Sequence, residues 1–353
     1  MFCENRDYLR QVKNAAEVEI DWYRFRDKSF FITGASGLIG TFLIDILMYI
    51  NEIHGLSLRI CAFGRNAESA RRRFKDYWDT ESFNFICNDI NKPFSKDIYS
   101  DYIIHGASNT HPVAYATDPI GTITTNVIGT QNILEFAVKQ VSPRVMFLSS
   151  VEIYGENRGD VERFDENYSG HIDCNTLRAG YPESKRVGEA LCQAYIHSKD
   201  LDVVIPRLSR VYGPTMSKDD SKAIAQFIRN AANKENIVLK SRGDQLYSYT
   251  YTADAAMALI YILLYGECGE AYNISDENSE ITLKDLAEII AGIAGTKVKY
   301  ELPDETEAKG YSNATKALLD NGKLKELGWE SSYDVKTGLS DTISILSSMD
   351  KEL

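Results

Sequence analysis

The sequence predicts an α/β protein: a doubly wound parallel sheet with a smaller, interleaved α/β lobe. Three observations carry that reading. Short β-rich runs alternate with helical stretches through the first half of the chain. Those runs are apolar throughout rather than alternating, which marks burial on both faces. The 353 residues exceed what one compact core usually holds. Strands separated by helices require right-handed crossovers, and these build a parallel sheet.

Taken in order, residues 1–28 read as an added N-terminal helical extension. SFFITG from Ser29 is the first strand, and LIGTFLIDILMYI, opening at Leu38, a buried helix. LRICAFG from Leu58 is the second strand, followed by the helix ESARRRFKDYW. FNFICNDI from Phe83 and YIIHGAS from Tyr102 are the third and fourth strands. A long helix from about Asp118 to Lys139 leads to the fifth strand, RVMFLSS from Arg144. A helix from about Pro182 to Ser198 precedes LDVVIPRLSRVYGP, a sixth strand ending in a loop. The remainder mixes helices (Ile224 to Ala232, Asp254 to Leu264, Leu283 to Ala294, Ala314 to Leu327) with brief strands such as NIVLK and AYNIS. Residues 29–213 are thus expected to form the sheet domain, and 214–353 mainly the covering lobe, partly interleaved with it.

Bulk properties exclude several function classes. Apolar content of 44% and charged content of 25% are those of an ordinary globular protein. Acidic residues outnumber basic ones by 51 to 39, and a net charge of −12 repels phosphodiester backbones, so nucleic acid is not an expected partner. Six scattered cysteines without a CxxC pair, and only five histidines, predict reduced core thiols and no metal site. The N-terminus has no secretory pattern, and no run approaches the roughly 20 apolar residues that span a bilayer. A cytoplasmic protein without membrane contact is expected.

TGASGLIG places Gly34, Gly37 and Gly40 between the first strand and its helix. Glycine there serves a tight turn, close approach of backbone to a pyrophosphate, and close packing of helix on strand. The helix N-terminus adds N–H groups and a positive dipole end for phosphates. At the first strand–helix junction this spacing predicts dinucleotide binding, with Ser36, Leu38 and Ile39 in the same bend. Asp89 and Ile90, just after the third strand, are placed to touch the adenine. Ala107 and Ser108 after the fourth strand, and Asn126 in the long helix, complete the expected cofactor set. NAD binders usually end the second strand with a carboxylate, and none occurs from Ser57 to Ala67. Arg65 stands there instead. Either it pairs with a 2′-phosphate, which leans toward NADP, or it is a solvated loop arginine.

Tyr181-Pro182-Glu183-Ser184-Lys185 puts a tyrosine and a lysine on one helical face, with Pro182 suited to the first turn. A free phenol titrates near pH 10, so a base useful at neutral pH needs a shift of about 3 units, roughly 4 kcal/mol. A neighbouring ammonium and a cationic nicotinamide ring would favour the phenolate. Ser150, at the end of the fifth strand, fits the hydroxyl that positions a substrate oxygen, because active groups gather at the carboxyl ends of such strands. Tyr195 and Lys199 share the same spacing, but Tyr195 lies deep in the helix and is expected to cover core.

With these residues in hand, the chain resembles the extended short-chain dehydrogenase/reductases, specifically the NAD-dependent epimerase/dehydratase family acting on nucleotide sugars. TGASGLIG, YATDPIGTITTNVIGTQNILEFA, SSVEIYG, GYPESKRVGEALC and RLSRVYGP follow that family's pattern in order, across roughly Ser29 to Trp329. HGASNTHPVAYATDPIGTITTNVIGT and YPESKRVGEALC look closest to UDP-glucuronate decarboxylases and their epimerase relatives. The resemblance implies a Rossmann sheet, bound NAD, and a nucleotide-diphosphate sugar oxidised transiently at C4. Tyr181 would be the base, Lys185 its activator, and Ser150 the serine/threonine partner. Glu152 falls where dehydratases and decarboxylases use a glutamate at C5 or near the C6 carboxylate, unless it is an exposed loop residue. Val151 stands where dehydratases carry an aspartic acid, which disfavours 4,6-dehydration. GDQLYSYTYTADA has Tyr247 where the family has an arginine that pairs with the substrate diphosphate, or with the carboxylate in decarboxylases, and RLSRVYGP has Arg210 where it usually has asparagine. Arg210 or Arg242 is therefore expected to take over the diphosphate contact. The resemblance further implies a homodimer through the helices bearing Ile123, Val127, Ile133 and Leu134, and Val187, Leu191 and Tyr195. Two other readings stay open: an NADPH-dependent reductase of a 4-keto sugar or other carbonyl, and a non-catalytic dinucleotide-sensing scaffold.

Overall fold

The computed structural model describes residues 4–94, 98–110, 112–301 and 314–349. Its helices are α1 (Arg6–Ala16), α2 (Leu38–His54), α3 (Ala67–Arg73), α4 (Pro112–Thr117), α5 (Pro119–Ala137), α6 (Gly180–Lys199), α7 (Ala223–Ala232), α8 (Thr252–Tyr265), α9 (Leu283–Ala294), α10 (Gly322–Glu326) and α11 (Val335–Met349). The first seven strands are β1 (Ser29–Thr33), β2 (Arg59–Gly64), β3 (Phe83–Cys87), β4 (Tyr102–His105), β5 (Arg144–Phe147), β6 (Ser149–Ser150) and β7 (Asp202–Leu208). The others are β8 (Arg210–Tyr212), β9 (Ile237–Leu239), β10 (Leu246–Tyr251), β11 (Ala271–Ile274), β12 (Glu280–Thr282), β13 (Val298–Tyr300) and β14 (Lys316–Ala317).

The principal sheet has the order β11-β7-β5-β4-β1-β2-β3, with β6 paired to β7. Its pairings are all parallel. Every residue of β1 is buried, as its unbroken apolar run demands. The chain leaves β1 in one direction for β2 and returns across it to β4, so the carboxyl ends of β1 and β4 flank a crevice. A smaller sheet joins β12, β10 and β14, with β8 parallel to β10. These strands roof the crevice.

Helix boundaries follow local chemistry. Asp118 caps α5 by accepting the Gly121 N–H at 3.0 Å, and Pro119 takes the first turn. α2 ends at Gly55 in the left-handed region, φ 57°. The N-terminal extension is helical, as expected: Asn5 caps α1, whose Tyr8, Val12, Ala15 and Ala16 are buried. The Tyr8 hydroxyl donates to the buried Asp45 of α2, and Tyr251 donates to Gln11 at 2.7 Å. The extension is thereby packed into the core against α2.

Two expectations are corrected. The sixth strand does not end in a loop: it breaks after Leu208 and restarts as β8 in the smaller sheet. The Ala314 to Leu327 helix is instead β14 followed by α10. Residues Leu318 and Leu319 are buried, the Phe164 N–H donates to the Leu318 carbonyl at 2.8 Å, and the Leu319 N–H donates to Ser248 at 3.1 Å. Those pairings outweigh the helical spacing of the apolar residues. Among the described residues no helix is long and apolar enough to cross a membrane.

Candidate active site

A cavity of about 600 Å³ runs from the glycine bend to the smaller sheet. Gly34 adopts φ 70°, and a Cβ there would lie 2.6 Å from the Gly106 backbone. A Cβ on Gly40 would sit 2.5 Å from the Gly34 carbonyl oxygen. Both positions therefore need glycine to bring β1, α2 and the turn after β4 together. No side chain caps the start of α2, and Gly34, Ser36, Gly37, Leu38, Ile39 and Gly40 all line the cavity. An uncapped helix end facing a crevice is suited to a pyrophosphate. Ala107, Ser108 and Arg65 share the same wall.

β6, the turn that follows it and the start of α6 bring the candidate reactive groups together. Ser150, Glu152, Tyr181 and Lys185 line one cavity with Arg210 and Tyr247. Tyr181 is buried and stacked on Tyr115, ring centroids 4.8 Å apart. Burial pushes the Tyr181 phenol up to about 12; Ser150 lowers it by hydrogen bonding, and the Glu152 carboxylate adds to the rise. Lys185 Nζ donates to the Leu148 carbonyl at 2.8 Å and lies 4.9 Å from the Phe147 ring centroid. Burial pulls its ammonium down to about 8. The expected depression of the phenol by Lys185 is thus not present in the chain alone, because desolvation outweighs every nearby charge.

The sequence reading missed Arg178 and Tyr115. Arg178 Nη2 donates to Glu152 Oε2 at 2.7 Å, and its guanidinium carbon lies 4.8 Å from the Tyr115 ring centroid. Arg178 precedes α6, and nothing in its spacing marks it; only the tertiary fold turns it onto Glu152. Arg210 faces Glu152 at 3.9 Å and lies 3.4 Å from the Tyr247 ring centroid. Tyr181, Tyr115, Arg178, Glu152, Arg210 and Tyr247 consequently form one continuous series of contacts across the cavity.

Other assigned residues lie elsewhere. Asp89 is not in the cavity wall, and its carboxylate accepts the Asn91 N–H at 2.9 Å. Ile90 is buried against Gly129 of α5. Asn126 is buried behind the wall, accepting from Ser108 at 2.7 Å and donating to Ser184 at 2.8 Å, so it ties the turn after β4 to α6. Arg242 is exposed and outside the cavity, which leaves Arg210 as the arginine facing it from the smaller sheet. Tyr195 also lies outside the cavity: it is half-buried, packs against the core and donates to Glu135.

A family model of the NAD dependent epimerase/dehydratase family matches residues 30–275. The chain belongs to that family. UDP-glucuronic acid decarboxylase 1 of Xenopus tropicalis is 30% identical over 319 residues, 90% of this chain and 71% of that protein. UDP-glucuronic acid decarboxylase 6 of Arabidopsis thaliana is 30% identical over 309 residues, 87% and 85% of the two chains. The dTDP-glucose 4,6-dehydratase DesIV of Streptomyces venezuelae, solved with NAD, superposes with a TM-score of 0.79 at 23% identity, covering 92% and 98% of the two chains. UDP-glucuronic acid 4-epimerase of Bacillus cereus gives a TM-score of 0.77 at 20% identity, covering 91% and 99%. As a member of this epimerase/dehydratase family the chain is an enzyme with NAD as its cofactor, and the doubly wound fold is that of its structural neighbours. Its own residues fit the dinucleotide: an uncapped helix end, a bend with no room for a Cβ at Gly34 or Gly40, and a buried ammonium on one crevice.

Proposed function

We propose that this enzyme oxidises C4 of a nucleotide-diphosphate sugar transiently and releases an epimerised or decarboxylated product. The observation that carries the reading is the convergence of Ser150, Tyr181 and Glu152 on the cavity that begins at the glycine bend. NAD held at the bend of Gly34, Gly37 and Gly40 would supply reversible hydride-accepting chemistry for C4. Ser150 orients the 4-hydroxyl, and Tyr181 takes its proton when the phenolate becomes accessible. Lys185 holds a positive charge behind the sugar-facing residues. Glu152, fixed by Arg178, stands where C5 chemistry needs a carboxylate. Val151 is apolar and donates no proton to a leaving hydroxyl, so dehydration is not the outcome. The relatives named as UDP-glucuronic acid decarboxylases favour a uridine nucleotide and a hexuronic acid.

Incubation with UDP-, GDP-, CDP- and dTDP-sugars, read by mass and NMR, tests the reading. Loss of about 44 mass units signals decarboxylation, and an isomer of unchanged mass epimerisation. Stoichiometric consumption of reduced cofactor at 340 nm would instead establish a reductase. The assembly is a homodimer in this reading. Ile120, Ile123, Ile128 and Val187 are exposed on the adjoining helices α5 and α6, whereas Ile133 and Leu134 belong to the protein's own core. A cytoplasmic setting is part of the same reading.

A further inference from the structure

We infer that Arg210 is a specificity-determining residue that receives a carboxylate carried on the substrate's sugar ring. The inference rests on the proposed function and assigns one residue of the same cavity to the acid group of the sugar.

The argument is one of charge and geometry. Glu152 is the carboxylate facing Arg210, and it already has a close partner: Arg178 Nη2 holds its Oε2 at 2.7 Å. Arg210 Nη2 stands 3.9 Å from the other oxygen, beyond hydrogen-bond range. Among the described residues no carboxylate approaches Arg210 more closely. Asp220, which also lines the cavity, is held by Lys222 at 2.9 Å, so the two guanidinium groups against the Glu152 carboxylate leave one positive charge in excess. The side chains of Arg178 and Arg210 are 14% and 19% exposed, so water screens that excess poorly.

Arg210 is also pre-positioned. It belongs to β8, whose register sets it opposite Tyr249 of β10. Its guanidinium carbon lies 3.4 Å from the Tyr247 ring centroid, a separation that forces the two flat groups face to face. Tyr247 is itself anchored, donating to the Ala314 carbonyl at 2.7 Å. A guanidinium stacked on its face offers its N–H edge to the cavity, the edge that pairs with both oxygens of a carboxylate. Glu152 lies two residues after Ser150, so this edge serves the reacting ring. A neutral hexose at that position would leave the arginine without an anion, and an acidic one would complete it.

A diphosphate would offer the same anionic oxygens, and the test separates the two. Binding of UDP-glucuronate, UDP-glucose and UDP to the NAD-loaded protein is measured by titration calorimetry for the parent, Arg210→Met and Arg210→Lys. Arg210→Met should weaken UDP-glucuronate by about 10- to 100-fold while shifting UDP-glucose and UDP less than about 3-fold. Arg210→Lys should restore part of the lost affinity, because it keeps the charge and loses the planar edge. Unchanged circular dichroism and NAD binding establish that the variants fold. Equal weakening of all three ligands would assign Arg210 to the diphosphate and overturn the inference, as would an unchanged affinity for UDP-glucuronate. A parent protein that binds none of the three would overturn the proposed function itself.

Discussion

Replacing Lys185 by methionine should change how stability depends on pH, and the size of the change follows from burial. The Lys185 ammonium is fully enclosed, and its desolvation lowers it from 10.5 to about 8. In the unfolded chain the same amine titrates at its ordinary value. Between pH 8 and 10.5 the unfolded state therefore binds more protons than the folded one, and stability rises with pH across that window. Below pH 8 both states are protonated, and the buried charge costs a constant amount. Integrating the two titrations from pH 7 to pH 10 gives a gain of about 2 to 3 kcal/mol for the parent, at roughly 1.36 kcal/mol per pH unit of full difference. Lys185→Met lacks the titrating group. Its lost hydrogen bond to the Leu148 carbonyl shifts both ends of the curve alike. Urea unfolding of both proteins at pH 7, 8, 9 and 10, followed by circular dichroism, measures the difference directly. A parent-minus-variant stability that stays flat over this range would refute the claim that the ammonium is desolvated in the fold.

Further outcomes follow from the same geometry. Tyr181→Phe should lower turnover by about 10²- to 10⁴-fold with NAD retained, measured by product formation and cofactor fluorescence. Gly40→Ala should weaken NAD binding, because its Cβ would meet the Gly34 carbonyl oxygen at 2.5 Å and must displace the bend. Asp45 is held up at about 7, mainly by burial. The folded state then binds more protons than the unfolded one between about pH 4 and 7, so this residue lowers stability as pH rises through that window. Asp45→Asn should remove that component, read as a smaller difference between urea midpoints at pH 5 and pH 8. Glu152→Gln should reduce turnover while leaving NAD affinity unchanged, since Glu152 pairs with Arg178 and faces Arg210 rather than the bend.

The legible part of this protein is what local rules govern. Apolar runs such as SFFIT declare their own burial on both faces, and TGASGLIG declares a bend whose glycines have steric reasons within a few residues of themselves. Asp118 and Pro119 mark a helix start by capping chemistry alone. The long helix, the catalytic helix and α2 could be read in this way because their signals lie within one or two turns of chain.

What could not be read depends on residues distant in the chain. Leu318 and Leu319 have helical spacing, yet Phe164 and Ser248 take their backbone groups and draw the segment toward the sheets. Asn126 has the composition of a ligand contact, but it is spent in holding Ser108 to Ser184. Arg178 carries no motif; its pairing with Glu152 exists only because the loop before α6 folds over the end of β5. The sequence alone determined the doubly wound sheet, the glycine bend at its first strand–helix junction and the placing of Tyr181 and Lys185 on one helix, since each is written in contiguous spacing. Only the tertiary structure decided which charges share the cavity and how far burial moves the phenol and the ammonium, because desolvation and ion pairing depend on distances between segments far apart in the chain.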